Sequence, residues 1–127
     1  MTTTTRTAKK GIILFAHGSR DPLWKLPIEA VAARIRERQV DALVECAYLE
    51  LTTPDLPSVS AHLIASGALN LRIVPMFLGV GRHAREDLPV LVAKLRDDHP
   101  QIHFELQAAV GENPLLIDLM AQIAIDT

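Results

Sequence analysis

The chain has 127 residues, of which nearly half are apolar, and its formal net charge at pH 7 is −2. This length predicts one domain that buries a core without disulfides. The near-neutral charge gives no reason to expect a nucleic-acid or membrane partner, and no segment is long and apolar enough to span a bilayer. The single cysteine, Cys46, lies in an apolar run, which favours a reducing, cytoplasmic location.

The first ten residues, MTTTTRTAKK, are basic but lack the apolar segment that a signal peptide needs. We interpret residues 1–10 as a flexible tail and residues 11–127 as a single α/β domain. The run Gly11–Ala16 is apolar throughout, which is typical of a strand buried on both faces of a parallel sheet. It ends in the segment His17–Arg20, where Gly18 leaves room for close backbone approach, and such strand ends are where these sheets bind ligands.

Amphipathic helices and apolar strands alternate along the rest of the chain. Asp21-Pro22 resembles a cap followed by a first-turn proline, but the apolar stripe is secure only over 27–38. Residues 21–26 therefore form either a separate turn or a kinked first turn. Further strands are predicted over 43–49, 71–78 and 103–110, and further helices from 53–54, from 88 and from 113–114.

This βαβαβαβα order with short connections predicts a four-stranded parallel sheet with helices on both faces and a flavodoxin-like winding. Pro75 removes a hydrogen-bond donor within the third strand, so a bulge or an unpaired position is expected there. The last helix is predicted to pack inward through four apolar residues, Leu116, Leu119, Met120 and Ile123.

Three of the predicted strands are followed by ligand-type side chains: His17, Glu50 and, in the glycine-bearing loop 79–87, His83. With strand order 2-1-3-4, the first and third strands are neighbours, and His17 and His83 face each other across the crevice. Two imidazoles and a carboxylate suit cobalt, nickel, iron or zinc, and so few ligands leave open positions for a substrate. The alternatives are a solvated histidine at 83 and a capping or salt-bridging carboxylate at 50.

Three arginines, Arg20, Arg82 and Arg85, lie close in sequence to the two histidines, and Ser19 adds a hydroxyl. This cluster predicts an anionic ligand that carries carboxylates or phosphates, unless the arginines are ordinary surface charges. The sequence GVGRHA is not a phosphate-binding loop, because it lacks the lysine and the Ser/Thr of that motif.

Several of these segments together resemble the class II chelatase family, in particular its short sirohydrochlorin cobaltochelatases of the CbiX type. The similar segments are HGSRD at 17–21, AYLE at 47–50 before Pro54, PMFLG at 75–79 with GRH at 81–83, and Gly111 with Pro114. They occur in the family's order, and the resemblance extends over about residues 11–126.

The resemblance implies insertion of a divalent metal, cobalt foremost, into sirohydrochlorin in cobalamin biosynthesis. His17 and His83 would bind the metal, and a histidine or Glu50 would accept the pyrrole protons. Ser19, Arg20, Arg82 and Arg85 would bind the carboxylate-rich tetrapyrrole. It also implies a homodimer, since longer members contain two such units, and it implies no organic cofactor. Ferrous or nickel insertion, or a non-catalytic metal- or tetrapyrrole-binding module, are the alternatives.

Overall fold

The computed structural model describes residues 9–126. Along the chain the elements are β1 (Lys9–Ala16), α1 (Leu26–Arg38), β2 (Leu43–Tyr48), α2 (Leu56–Ala65), β3 (Ala68–Pro75), α3 (Arg82–Asp98), β4 (His103–Leu106), a short 3-10 helix (Val110–Glu112) and α4 (Pro114–Ile125). Within this part of the chain, no helix combines the length and the apolar character needed to cross a membrane.

The strands form one parallel sheet in the order β2-β1-β3-β4, as predicted from the alternation of elements. β1 lies in the centre, and its residues from Ile13 to Ala16 are at most 2% exposed. The main core fills the space between the sheet and the pair α2 and α3. A smaller cluster beneath α1 packs Ala32 against Leu14 and Val44 on the opposite face. Helices therefore cover both faces, and the carboxyl edge of the sheet stays open for a site.

Several boundaries of the strands differ from the prediction, among them the start of β3 at Ala68 rather than at 71. β1 begins at Lys9, so Lys9 and Lys10 belong to the strand rather than to the tail, while residues 1–8 lie outside the described part. Pro75 is the last residue of β3 and causes no bulge, since it stays in register with Phe15 of β1 and the next residue, Met76, donates its N–H to the Phe15 carbonyl at 2.7 Å. The register with β4 ends earlier, at Ile73, so Pro75 is unpaired on that side, which is the other expected alternative. The irregular register lies between Lys9 and Lys10 instead. β4 ends at Leu106, short of the predicted 110.

Residues 21–25 form a separate turn, one of the two expected alternatives. The Asp21 carboxylate accepts the Leu23 N–H at 2.9 Å, and the Asp21 carbonyl accepts the Trp24 N–H at 3.1 Å. The second helix starts later than predicted from Thr53-Pro54, because Asp55 is its N-cap and accepts the Ser58 N–H at 2.9 Å. A capping side chain thus marks the beginning of α2, whereas Lys25, the N-cap of α1, makes no side-chain hydrogen bond and α1 simply follows the turn.

The polar segment 79–87 was predicted as a loop, but only its first residues are one. α3 begins at Arg82 after the N-cap Gly81 and continues through Pro89 to Asp98. The first turn carries the exposed His83 and Arg85, and its one buried residue is the small Ala84, so the pattern of large apolar residues begins only at the buried Leu88. His83 therefore lies on a helix rather than in a loop.

The last helix, α4, has no buried residue, which contradicts its predicted inward-facing side. Leu116 and Met120 are half-buried, whereas Leu119 is 55% and Ile123 65% exposed. Its main contact within the chain is with the short 3-10 helix and not with the sheet. An apolar helix is thus left without a covering layer among the described residues.

Candidate active site

The open edge of the sheet begins at His17, the first residue after β1. Its carbonyl accepts the N–H of Glu50 at 3.0 Å, which joins the ends of β1 and β2. The exposed imidazole stacks on the ring of Phe77, with ring centroids 4.2 Å apart. Because Glu50 follows β2 and Phe77 follows β3, the ends of both neighbouring strands contact His17, the first through its backbone and the second through its imidazole.

Gly18 makes the close backbone approach that the sequence predicts. Its φ is +101°, a left-handed conformation that glycine tolerates best. A Cβ at this position would lie 1.7 Å from the carbonyl oxygen of Glu50. The turn after His17 therefore depends on glycine both for its dihedral angles and for space.

Ser19 is held from two sides. Its N–H donates to the hydroxyl of Thr52 at 2.9 Å, and the same hydroxyl donates to the Ser19 carbonyl at 2.7 Å. The Ser19 hydroxyl accepts the Asp21 N–H at 3.1 Å, so one of its lone pairs is occupied, and its own proton has no acceptor in the described part of the chain. The sequence gives no signal for Thr52, because its partner lies 33 residues away.

His83 lies in the first turn of α3, which begins at the same edge of the sheet as His17 because β1 and β3 are neighbours. Its side chain is exposed. The next residue, Ala84, is buried and lines a cavity of about 150 Å³ together with Phe77, on which His17 stacks. The structure thus brings both histidines to one edge, on elements that share the Phe77 region.

Glu50 directly follows the end region of β2 and is exposed. Among residues 9–126 its carboxylate has no recorded salt bridge or side-chain hydrogen bond. In the same part of the chain, no three His, Cys, Asp or Glu side chains are grouped to hold a metal. Glu50 therefore does not join the two imidazoles in a three-ligand cluster and keeps a free carboxylate at the edge.

The three arginines at this edge are all exposed. The guanidinium of Arg82 pairs with the Glu86 carboxylate one turn further along α3, at 3.1 Å. An exposed pair at this spacing contributes only about 0.3–0.5 kcal/mol, so a ligand carboxylate can replace Glu86 at little cost. Arg20 and Arg85 form no salt bridge within the described residues.

An apolar cavity of about 370 Å³ adjoins this edge. It lies between the ends of the first two strands and one side of α3, and its walls include Phe15, Leu49, Ala84, Leu88 and Leu91. Its volume lies in the range typical of small-molecule sites. Imidazoles, free cations and apolar walls thus occur together at the open edge.

A four-stranded parallel sheet with two histidines at its open carboxyl edge agrees with what the resemblance to the class II chelatases implies. The fold matches that of a cobalamin (vitamin B12) biosynthesis CbiX protein from Marinobacter aquaeolei VT8, with a TM-score of 0.79 and 32% identity. The match covers 92% of this chain and 95% of that one. The CbiX family model matches residues 11–127, and the chain belongs to the CbiX family.

Two relatives illustrate the range of metals named within this group. A sirohydrochlorin cobaltochelatase of Methanococcus aeolicus is 35% identical over 83 residues, which are 65% of this chain and 58% of the relative. The chloroplastic sirohydrochlorin ferrochelatase of Arabidopsis thaliana is 31% identical over 110 residues, or 87% of this chain and 49% of the relative. The aligned parts thus span only about half of these two relatives' lengths.

Proposed function

We propose that this protein inserts a divalent metal, cobalt foremost, into sirohydrochlorin in cobalamin biosynthesis. The observation that carries the proposal is the placement of His17 and His83 at one open edge, beside an apolar cavity, in a chain of the CbiX family. The cobaltochelatase relative supports cobalt, and the ferrochelatase relative keeps ferrous iron as the alternative. Nickel is a further alternative, because the same imidazole ligands suit it.

In this proposal the metal is a substrate that must bind and then leave. Two neutral imidazoles, His17 and His83, hold the ion more weakly than a closed set of four ligands, and the remaining positions stay open to the pyrrole nitrogens. Two N–H bonds of the tetrapyrrole break and two protons are released, while the ion exchanges its bonds to the two imidazoles for bonds to the four ring nitrogens. The exposed Glu50 carboxylate and the histidines are the groups placed to accept those protons, and no electrons are transferred.

In this proposal charged and apolar groups bind different parts of the substrate. Arg20, Arg82 and Arg85, together with the Ser19 hydroxyl, meet the carboxylates of the tetrapyrrole, and the apolar cavity receives part of its ring system. The N-terminus of α3, which faces the same edge, adds a positive partial charge next to His83. This set of contacts orients the ring nitrogens toward the metal, which is the main contribution that binding makes to the reaction rate.

A homodimer is part of the proposal. Its support is the resemblance to longer chelatases with two such units and the uncovered helix α4, whose only polar residues are Asp118 and Gln122. Leu115, Leu119 and Ile123 are spaced four residues apart and are 55–79% exposed. A helix that is apolar on most of its sides is normally buried, and a second copy of the chain would bury it.

We also place the protein in the cytoplasm. The support is Cys46, a half-buried thiol that donates to the Ile28 carbonyl at 3.9 Å. Burial raises the pKa of the Cys46 thiol, so it stays protonated and reacts poorly. Such a cysteine packs as a small apolar side chain and is compatible with a reducing compartment.

The test is a side-by-side insertion assay in which sirohydrochlorin is mixed with cobalt, nickel or ferrous iron and the absorption spectrum is followed. We expect catalytic turnover above the uncatalysed rate, fastest with cobalt. Fastest turnover with iron or nickel would transfer the proposal to that metal. Spectral binding of the tetrapyrrole without turnover for any of the three metals would favour a non-catalytic binding module, and the chelatase proposal would then be wrong.

A further inference from the structure

The loop after β2 and the turn after β1 are held together residue by residue. The N–H of Leu49 donates to the Ala16 carbonyl at 2.9 Å, and the N–H of Glu50 donates to the His17 carbonyl at 3.0 Å. The Glu50 carbonyl then lies against Gly18. The last contact in this series is the two-way hydrogen bond between the Thr52 hydroxyl and the backbone of Ser19.

The backbone turns sharply to bring Thr52 to this position. Leu51 has a φ of +62°, in the left-handed region that is unfavourable for a leucine. The N–H of Thr52 donates to the Glu50 carbonyl at 2.7 Å and closes a three-residue turn around Leu51. A strained residue persists only where its surroundings hold it, and such residues cluster at functional sites. Here the turn around Leu51 is held by the hydrogen bonds that the Thr52 hydroxyl makes with the backbone of Ser19.

The same turn is fixed on its other side by local hydrogen bonds. The Ser19 hydroxyl accepts the Asp21 N–H, and the Asp21 carboxylate accepts the Leu23 N–H. Ser19 is therefore the point where the local contacts of the 21–25 turn meet the long-range contact from Thr52. Loss of the Thr52 hydroxyl would leave the Ser19 N–H and carbonyl without their partner, two residues beyond His17.

We propose that Thr52 is a positioning residue, whose hydroxyl fixes the turn after β1 and so sets the orientation of the His17 imidazole at the open edge. The proposal rests on the proposed function, in which His17 binds the metal and Thr52 touches neither metal nor tetrapyrrole. With only two protein ligands, the orientation of each imidazole depends on the surrounding protein and not on further ligands. Groups that hold a metal ligand in place typically alter metal affinity or activity by about 10–100-fold when removed.

Three variants test the proposal. Thr52→Val keeps the shape of the side chain and removes the hydroxyl, whereas Thr52→Ser keeps the hydroxyl. Thr53→Val is the matched control, because Thr53 is the exposed neighbour and its side chain makes no hydrogen bond within residues 9–126. For each protein the cobalt affinity of the metal-free form, the rate of insertion and the hydrogen exchange of the Ser19 amide are measured.

We expect Thr52→Val to weaken cobalt binding and slow insertion by about tenfold and to speed exchange of the Ser19 amide. Thr52→Ser should restore all three toward the original values, and Thr53→Val should change none of them. Should Thr52→Val fold poorly, Thr52→Ala measured below its melting temperature gives the same comparison. A fast-exchanging Ser19 amide with unchanged cobalt affinity and insertion would overturn the proposal.

Failure of Thr52→Ser to restore cobalt affinity would also overturn it, since the hydroxyl would then not be the important group. The proposed function fails by a different result, namely no insertion turnover by the unaltered protein, whereas full insertion activity in His17→Ala removes only His17 as a metal ligand. In that case Thr52 could not act on insertion by orienting His17, because His17 would not be a metal ligand. The insertion assay of the unaltered protein and the His17 variant therefore separate a failure of the proposed function from a failure of the Thr52 proposal.

Discussion

The two histidines carry the proposed chemistry and contribute little to the core, since both side chains are exposed. We therefore expect His17→Ala and His83→Ala each to lose most insertion activity while the melting temperature changes by no more than a few degrees. His103→Ala is the matched control, because His103 is an exposed histidine at the start of β4, at the opposite edge of the sheet. Insertion rates and thermal melts are measured on the same preparations.

Full activity in His83→Ala would exclude a two-histidine site, whatever the result for His17. A large loss of stability in His17→Ala would indicate that its stacking on Phe77 serves folding instead. Unequal effects of the two variants on cobalt affinity would show which imidazole holds the ion more tightly.

Gly18 has no tolerance for a side chain. In Gly18→Ala the new Cβ would meet the Glu50 carbonyl oxygen, and φ would stay in the left-handed region, so we expect a loss of at least about 3 kcal/mol in the free energy of unfolding. Gly79→Ala is the control, because a Cβ at Gly79 meets no atom within 4 Å. Denaturant unfolding of the two variants checks the difference, and equal stability would contradict the described turn.

The arginines are expected to act on the tetrapyrrole and not on the metal. Arg20→Ala and Arg82→Ala should raise the KM for sirohydrochlorin several-fold, because a substrate carboxylate loses its cation, while cobalt affinity stays nearly unchanged. Arg34→Ala, at an exposed arginine of α1, is the control. If the KM for the tetrapyrrole is the same in all three variants, these arginines are ordinary surface charges.

The sequence identifies some residues of this edge and misses others for a physical reason. His17, Gly18 and Glu50 were found because they directly follow apolar runs, and the close approach predicted at Gly18 is confirmed. The metal-binding and proton-accepting roles stay predictions. Thr52 could not be found, because its importance depends on a contact with Ser19 that exists only once the strands have paired.

At the level of elements, the N-cap of α2 offers a test that also depends on pH. The Asp55 carboxylate accepts hydrogen bonds from Ser58, which lowers the pKa of Asp55. Asp55→Ala should cost about 1 kcal/mol in the free energy of unfolding at pH 7, and Asp55→Asn much less, because asparagine also caps helices.

The sign of the pH effect follows from the lowered pKa in the folded state. The stabilisation by the ionised cap is present above the unfolded-state pKa, roughly 4, and is lost as the pH falls through the lower folded-state value. The difference between the original protein and Asp55→Ala should therefore shrink in acid. Denaturant unfolding at pH 7 and at about pH 3 measures it, and a difference that grows in acid would contradict the assignment.

Helix boundaries were less predictable than helix positions. The buried Leu56, Val59 and Leu63 of α2 were predicted from their spacing, and the structure confirms them. The start of α3 was wrong by about six residues, since its first turn contacts the core only through the small Ala84 and is otherwise polar and exposed. An amphipathic pattern reports where large apolar side chains contact the core, and a single alanine among polar residues is too weak a signal.

For the whole molecule, the order of strands could be predicted because short connections and right-handed crossovers leave few alternatives. The packing of α4 could not. Its apolar pattern favours burial, but the pattern does not say whether a covering surface would belong to the same chain or to a second one. The inward-facing prediction assumed the same chain, and the exposure of Leu119 and Ile123 contradicts it.

The exposed apolar side of α4 is the expected contact surface of the proposed homodimer, and it can be tested by mutation. Burying the Leu115, Leu119 and Ile123 stripe of two copies against each other removes apolar area that is 55–79% exposed in one copy. The four-residue spacing gives a ridge that packs into the grooves of the same helix related by a two-fold axis. We expect sedimentation at micromolar concentration to show a dimer.

Leu119→Glu should convert this dimer to a monomer, because a charge placed in the stripe would be buried against its own copy. Val40→Glu is the matched control, since Val40 is also an exposed apolar residue, 85% accessible, but lies in the connection after α1 and outside α4. The control should sediment as the unaltered dimer and keep its melting temperature. If the unaltered protein is a monomer, the dimer proposal is wrong. If Leu119→Glu remains dimeric, the dimer contact does not include this side of α4.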